Sequence, residues 1–150
     1  MKRAEALRSL SREHLEALLA AKRLREASDL EEATRSFLEF WRDEGRRHFR
    51  VEEEVLLPTW AMHATVDRRR VARMLEEHLA IRRAALRLEA GEVALEELAE
   101  IGTLLHDHVR FEERELFPII EQALDAEDVA RLAAALERAE APRGGGRSGS

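Results

Sequence analysis

Four histidines and two glutamates in this chain are spaced as metal ligands would be. Residues 48–58 read HFRVEEEVLLP and residues 108–118 read HVRFEERELFP. His, Arg, Glu, Glu, Leu and Pro recur at equivalent places in the two segments. A Glu-His-Leu fragment precedes each one, at 13–15 and at 77–79. The chain is therefore a repeat, and each copy carries a lone His followed by a His-x-x-x-Glu. Four helical residues advance about 400°, so His48 and Glu52 share a face roughly 6 Å apart along the axis. The same holds for His108 and Glu112. An imidazole and a carboxylate one turn apart can reach one cation, or two adjacent ones. The chain has no Cys, which excludes thiolate catalysis, iron–sulfur clusters, Cys-ligated zinc and a disulfide framework. Any metal chemistry falls to nitrogen and oxygen donors, a set that suits iron, manganese or zinc.

The elements that must position these residues are helical. Ala, Leu, Glu and Arg dominate the 150 residues, and three Pro and seven Gly interrupt them. A first amphipathic stretch runs from Ala4 to Ala27, with Leu7, Leu10, Leu15, Leu18, Leu19 and Leu24 near helical spacing. Asp29 is placed to cap the next stretch, with Glu32 three residues on. That second stretch runs from Leu30 to Leu57 and stops or kinks at Pro58. Residues 59–65 read as either a further helical turn or a loop. A third stretch covers Asp67 to Ala90 and ends at Gly91. A fourth covers Glu92 to Leu124, with Pro118 near its end. Asp125 caps a fifth, from Ala126 to Ala141, with Asp128 in its first turn. Residues 142–150 (PRGGGRSGS) read as a disordered tail. The expectation is an all-α, antiparallel, up-down-up-down four-helix bundle of two repeated hairpins with a short C-terminal helix, one domain over residues 1–141.

Antiparallel hairpins bring His14 level with His48, and His78 level with His108. Four imidazoles and two carboxylates then meet at one height of the core. Apolar neighbours on those faces argue for burial: Leu7, Leu10, Ala17, Leu18 and Ala21 around His14; Val71, Met74, Leu75, Ile81 and Ala85 around His78; Ile101, Leu104 and Leu105 around His108. Trp41 and Gly45 lie on the face of His48. Such a cluster without a ligand would leave buried polar atoms unsatisfied at a cost of several kcal/mol. A cation removes that conflict. A ferritin-type site is excluded, because the residues three before the four histidines are Ser11, Gly45, Leu75 and Leu105 rather than Glu. There is no His-Glu-x-x-His either.

The ordered pattern of His, His-x-x-x-Glu, His, His-x-x-x-Glu resembles the hemerythrin-like proteins of the HHE cation-binding family, over roughly residues 10–125. The resemblance implies a four-helix bundle with an oxo- or hydroxo-bridged pair of non-haem iron ions, with manganese or zinc as substitutes. It implies His14, His48, Glu52, His78, His108 and Glu112 as ligands, with Glu52 and Glu112 bridging. Respiratory members carry a second His one turn from the third-helix ligand and an Asp in the fourth-helix motif. Here the positions one turn either side of His78 are Met74 and Arg82, which disfavours stable reversible O2 carriage.

Other residues receive plainer readings. His63 follows Glu52 by eleven residues and would share the ligand face in an unbroken helix, but the commoner reading is a solvent-facing His near a loop. His106 points away from the His108 face. Glu53 and Glu113 could accept hydrogen bonds from ligand imidazoles, but a solvated face is the expectation, and likewise for Glu13 and Glu77. Arg68, Arg69 and Arg70 read as a solvated turn. Trp41, Met74 and Leu105 are core residues that would line a pocket for a diatomic ligand. The net charge of −6 argues against nucleic acid as the main partner. Charged residues at 37% and the absence of a long apolar run argue against a membrane, and the charged N-terminus lacks a signal-peptide core. The expected function is a cytoplasmic di-iron protein that binds or reacts with O2 or a related small oxidant, peroxide or nitric oxide. The alternatives are an iron storage or sensing module and a di-iron peroxidase or oxidase. A metal-free interaction bundle is the remaining reading. No protein partner is indicated.

Overall fold

A computed structural model describes residues 3–140. Ala141 and the 142–150 segment lie outside the described residues, so the disordered-tail expectation concerns a part of the chain the structure does not describe. The described residues are all-helical, without strands. After a single 3-10 turn at Glu5–Leu7, helix α1 spans Arg8–Arg25. Helix α2 covers residues 30–63 without interruption, helix α3 is Arg68–Glu89, α4 covers residues 98–123, and α5 is Ala126–Glu140.

The starts follow local chemistry. The Asp29, Asp67 and Asp125 side chains each accept a backbone N–H three residues on, from Glu32 at 3.1 Å, Arg70 at 3.0 Å and Asp128 at 2.8 Å. Gly91 adopts φ +73°, and Glu92 N–H reaches back to Arg87 C=O at 2.9 Å, which closes α3 in a Schellman motif. That motif occupies Glu92, so the fourth stretch starts later than the sequence suggests. A 3-10 turn at Leu95–Glu97 leads into α4, with the Glu97 carboxylate accepting from Ala94 N–H at 2.8 Å.

Helix α2 does not end at Pro58. It passes through the proline and runs on to His63, because a π-turn at Glu52–Leu56 precedes it. Proline has no N–H to give and crowds the carbonyl four residues back. The wider turn relieves this: Leu57 N–H bonds Glu52 C=O, five residues back. The second copy repeats the device, with a π-turn at Glu112–Leu116 before Pro118 and Phe117 N–H on Glu112 C=O. A third π-turn spans Trp41–Gly45. Each π-turn inserts one residue and rotates the C-terminal remainder of its helix by about 100°.

Helix α1 packs most extensively along α4 and also against α2, while α3 packs against α2 and α4. The α1–α4 approach depends on Gly102, where a Cβ would sit 2.6 Å from the Ala21 carbonyl oxygen. Two apolar cores result. One holds Leu24, Phe37, Trp41, Phe49, Ile81, Leu88, Leu98, Leu105 and Val109. The other holds Leu7, Leu10, Leu56, Trp60, Met74, Phe111, Leu116, Phe117 and Ile120, and α5 adds Leu132 and Leu136. The leucine pattern of α1 is only partly buried: Leu15 is 66% and Leu19 40% exposed. Leu75, grouped with the His78 face in the sequence, is also exposed. No helix among the described residues is long and apolar enough to cross a membrane.

Candidate metal centre

Between the two cores lies a polar layer. On α1 it falls between Leu10 and Ala17, on α3 between Met74 and Ile81, and on α4 between Leu105 and Leu116. His14, His48, Glu52, His78, His108 and Glu112 are the buried polar or charged side chains among the described residues, at 0–6% exposure. Burial of six such groups together is costly unless each is satisfied. The structure thus brings all six sequence-predicted candidates to one place.

Their geometry is that of two groups sharing two carboxylates. His14, His48, Glu52 and Glu112 offer ligand atoms within 4.8 Å of one another, as do Glu52, His78, His108 and Glu112. Each glutamate turns one oxygen to each group. Glu52 Oε2 lies 2.8 Å from His48 Nε2, while its Oε1 lies 3.1 Å from His78 Nε2. Glu112 Oε1 lies 2.9 Å from His14 Nε2, while its Oε2 lies 3.1 Å from His108 Nε2. Only the His14 Nε2 to Glu112 Oε1 contact is a hydrogen bond; closeness does not satisfy the others. His48, His78 and His108 Nε2, both Glu52 oxygens and Glu112 Oε2 are buried without a hydrogen-bond partner among the described residues. Convergent, misaligned nitrogen and oxygen atoms with no sulfur are what a cation between them would resolve. The cluster fits a metal site.

Aromatic rings seal it. Phe49 lies flat on the His78 imidazole, with centroids 3.8 Å apart, and Phe117 stacks on His14 at 5.4 Å. On the His14 and His48 side a small cavity of about 10 Å3 remains, lined by those two imidazoles, His108, Phe40, Trp41, Gly45 and Leu105 among others. That is room for about one water-sized molecule. Gly45 sits where the second copy has Leu105, and a Cβ there would meet the Trp41 ring at 2.8 Å. Trp41 and Leu105 line the cavity as expected. Met74 does not; it is buried in the core below, beside Phe111 and Leu116.

The outer side of the site departs from expectation. Glu13, Glu53, Glu77 and Glu113 are not a solvated face. Each accepts the Nδ1–H of one of the four imidazoles, at 2.5–2.8 Å. Their recurrence beside the candidate ligands in both copies was the available signal. The abundance of Glu in the chain hid it. Arg82 is 2.7 Å from Glu53, so it is engaged away from the centre. His63 is also elsewhere: the π-turn after Glu52 swings it off the ligand face, and its Nδ1 lies 3.2 Å from Asp128. His106 pairs with its neighbour Asp107.

The charges interlock. Burial alone would lower the imidazole pKa values, but the carboxylates outweigh it. Glu52 and Glu13 raise His48 to about 9. Glu112, Glu52 and Glu53 raise His78 to about 11, and His14 and His108 also shift upward. Burial would raise Glu52 and Glu112, but the imidazoles hold both below the usual carboxylate range. Without metal, protons on the imidazoles balance the carboxylates. A group whose pKa is raised on folding stabilises fully below its unfolded value near 6.5 and loses that contribution as pH climbs through its folded value. Metal-free protein is therefore expected to lose stability between about pH 6.5 and 11. Urea unfolding of metal-free protein across that range tests this, and stability that is flat or rising would contradict it.

The family model described as hemerythrin HHE cation binding domain matches residues 5–120, a span that contains all six buried residues. No curated protein and no solved structure matches the chain. A match over most of the length, together with a buried His and Glu cluster that fits a cation, leads to one assignment: the chain belongs to the hemerythrin HHE cation-binding domain family.

Proposed function

We propose that His14, His48, Glu52, His78, His108 and Glu112 hold two iron ions, and that the protein binds or reacts with O2 or a related small oxidant, peroxide or nitric oxide, in the cytoplasm. The helices form an up-down-up-down four-helix bundle of two repeated hairpins around this site. One observation carries the reading: Glu52 and Glu112 each turn one oxygen to each imidazole pair, the arrangement two cations sharing bridging carboxylates require. Bound iron supplies redox chemistry and an open coordination position. The chain does the rest. The imidazoles orient their Nε2 atoms inward, Phe49 and Phe117 exclude water, and the small cavity lined by Trp41 and Leu105 marks where a diatomic would approach, next to His14 and His48. Two imidazoles per group, with Met74 in the core and Arg82 tied to Glu53, favour reaction with the oxidant over reversible carriage.

The test is anaerobic loading with Fe(II), then optical spectra before and after O2, peroxide or nitric oxide. The expectation is about two iron ions per chain and an absorption band that depends on the oxidant, absent from zinc-loaded protein. Iron binding below one ion per chain, or a spectrum indifferent to all three reagents, would overturn it.

A further inference from the structure

The four outer glutamates form a closed circuit around the helices. Glu13 of α1 accepts from His48 Nδ1 of α2 at 2.6 Å, and Glu53 of α2 accepts from His78 Nδ1 of α3 at 2.5 Å. Glu77 of α3 accepts from His108 Nδ1 of α4 at 2.8 Å, and Glu113 of α4 accepts from His14 Nδ1 of α1 at 2.6 Å. Each glutamate sits next in sequence to a candidate ligand, yet serves an imidazole on the neighbouring helix. About 100° separates adjacent residues on a helix, so one member of the pair faces the centre while the other faces the next helix.

Every link is anchored from outside. Arg47 approaches Glu13 at 3.3 Å, Arg82 Glu53 at 2.7 Å, Arg73 Glu77 at 2.9 Å and Arg3 Glu113 at 3.0 Å. These arginines come from unrelated positions in the two copies, whereas the glutamates recur at equivalent ones. A carboxylate only accepts, so each Nδ1 must carry the hydrogen and each Nε2 is left to face the centre. The same bond sets the ring's rotation about Cβ–Cγ.

We propose that Glu13, Glu53, Glu77 and Glu113 are positioning residues that preset all four Nε2 donors for metal, each acting on the imidazole of the next helix rather than on its own sequence neighbour. This rests on the metal-binding reading of the centre.

Co(II) binding to the full chain, monitored by its visible absorption, measures affinity and coordination geometry. NMR of zinc-loaded protein tracks each imidazole Nδ1–H. Wild-type protein is expected to bind Co(II) and to show four protected Nδ1–H signals, one per imidazole. Glu77→Ala is expected to weaken Co(II) binding about 10–100-fold and to lose the His108 signal while His78 keeps its own. Glu53→Ala should lose the His78 signal instead. Glu77→Gln retains an acceptor and should recover most of the affinity, which separates positioning from a folding defect. Glu54→Gln, exposed beside Arg50, serves as the neutral control. Variants that bind Co(II) like wild type with all four signals intact would overturn the circuit. Loss of the signal from the sequence neighbour instead of the next helix would also overturn it. Wild-type protein that fails to bind Co(II) would overturn the metal reading itself, a result distinct from either.

Discussion

Glu112→Ala is expected to empty both metal positions, whereas His48→Ala should empty one and weaken the other. The carboxylate of Glu112 belongs to both candidate metal-holding groups, and His48 belongs to one. With Glu112 gone, each group keeps two imidazoles and a single Glu52 oxygen, so both positions lose a charged donor at once and water must complete each shell. The loss in affinity should exceed the roughly 10–100-fold typical of a residue that only supports a ligand. The metal-free fold should also suffer. His14 and His108 each lie within 3.1 Å of a Glu112 oxygen, and an unpaired buried charge costs about 3–5 kcal/mol. Glu52→Ala should behave in the same way, since its two oxygens are divided likewise. His106→Ala should leave loading unchanged, because that ring lies outside both groups and pairs with Asp107. Equilibrium dialysis against Fe(II) or Co(II), with circular dichroism as a check on folding, separates these variants. Two ions retained by Glu112→Ala would show that the carboxylate is not shared.

Removal of metal from wild-type protein is expected to lower the melting temperature by about 8–16 °C. Metal at about a thousand times its Kd is worth about 4 kcal/mol, and a chain of this length shifts by about 2–4 °C per kcal/mol. Metal binding is then folding free energy. The metal-free chain should nevertheless melt cooperatively. Protons on the four imidazoles offset Glu52 and Glu112, and the four outer glutamates still hold the rings. Two large apolar cores also remain on either side of the layer. Calorimetry before and after exhaustive chelation checks both parts. An unchanged melting temperature would place the metal at the surface, and a non-cooperative trace would mean the layer has no structure without it.

Helix positions and the buried histidines were legible because both depend on short-range patterns. Asp29, Asp125 and Gly91 marked breaks through side-chain capping and a positive φ, which single residues determine. The two copies of His-x-x-x-Glu placed donors on one helical face. Helical phase beyond the prolines was less legible. A periodicity of 3.6 residues extended from Glu52 puts His63 on the ligand face, but the π-turn adds a residue and sends it to Asp128. The leucines of α1 show a related limit: near-helical spacing identified the helix but not which of two adjacent apolar strips would be covered, and Leu15 and Leu19 stayed in solvent.

The order of candidate ligand types along the chain, the exclusion of sulfur chemistry and the helical class are properties of the sequence itself, since each depends on residue identity and spacing within one helix. The partners of each imidazole are not. Glu13 and His48 are 35 residues apart, and Glu113 and His14 are 99 apart. Their recurrence beside the candidate ligands marks them, but nothing local says which ring each one meets. Only helix packing decides which carboxylate meets which ring, which oxygen of Glu52 faces which pair, and that the Trp41 ring packs against Gly45 where the second copy has Leu105. The physical reason is that a helix fixes the directions of its own side chains, while the atoms they meet belong to another helix whose rotation and offset are set by the packing of the whole core.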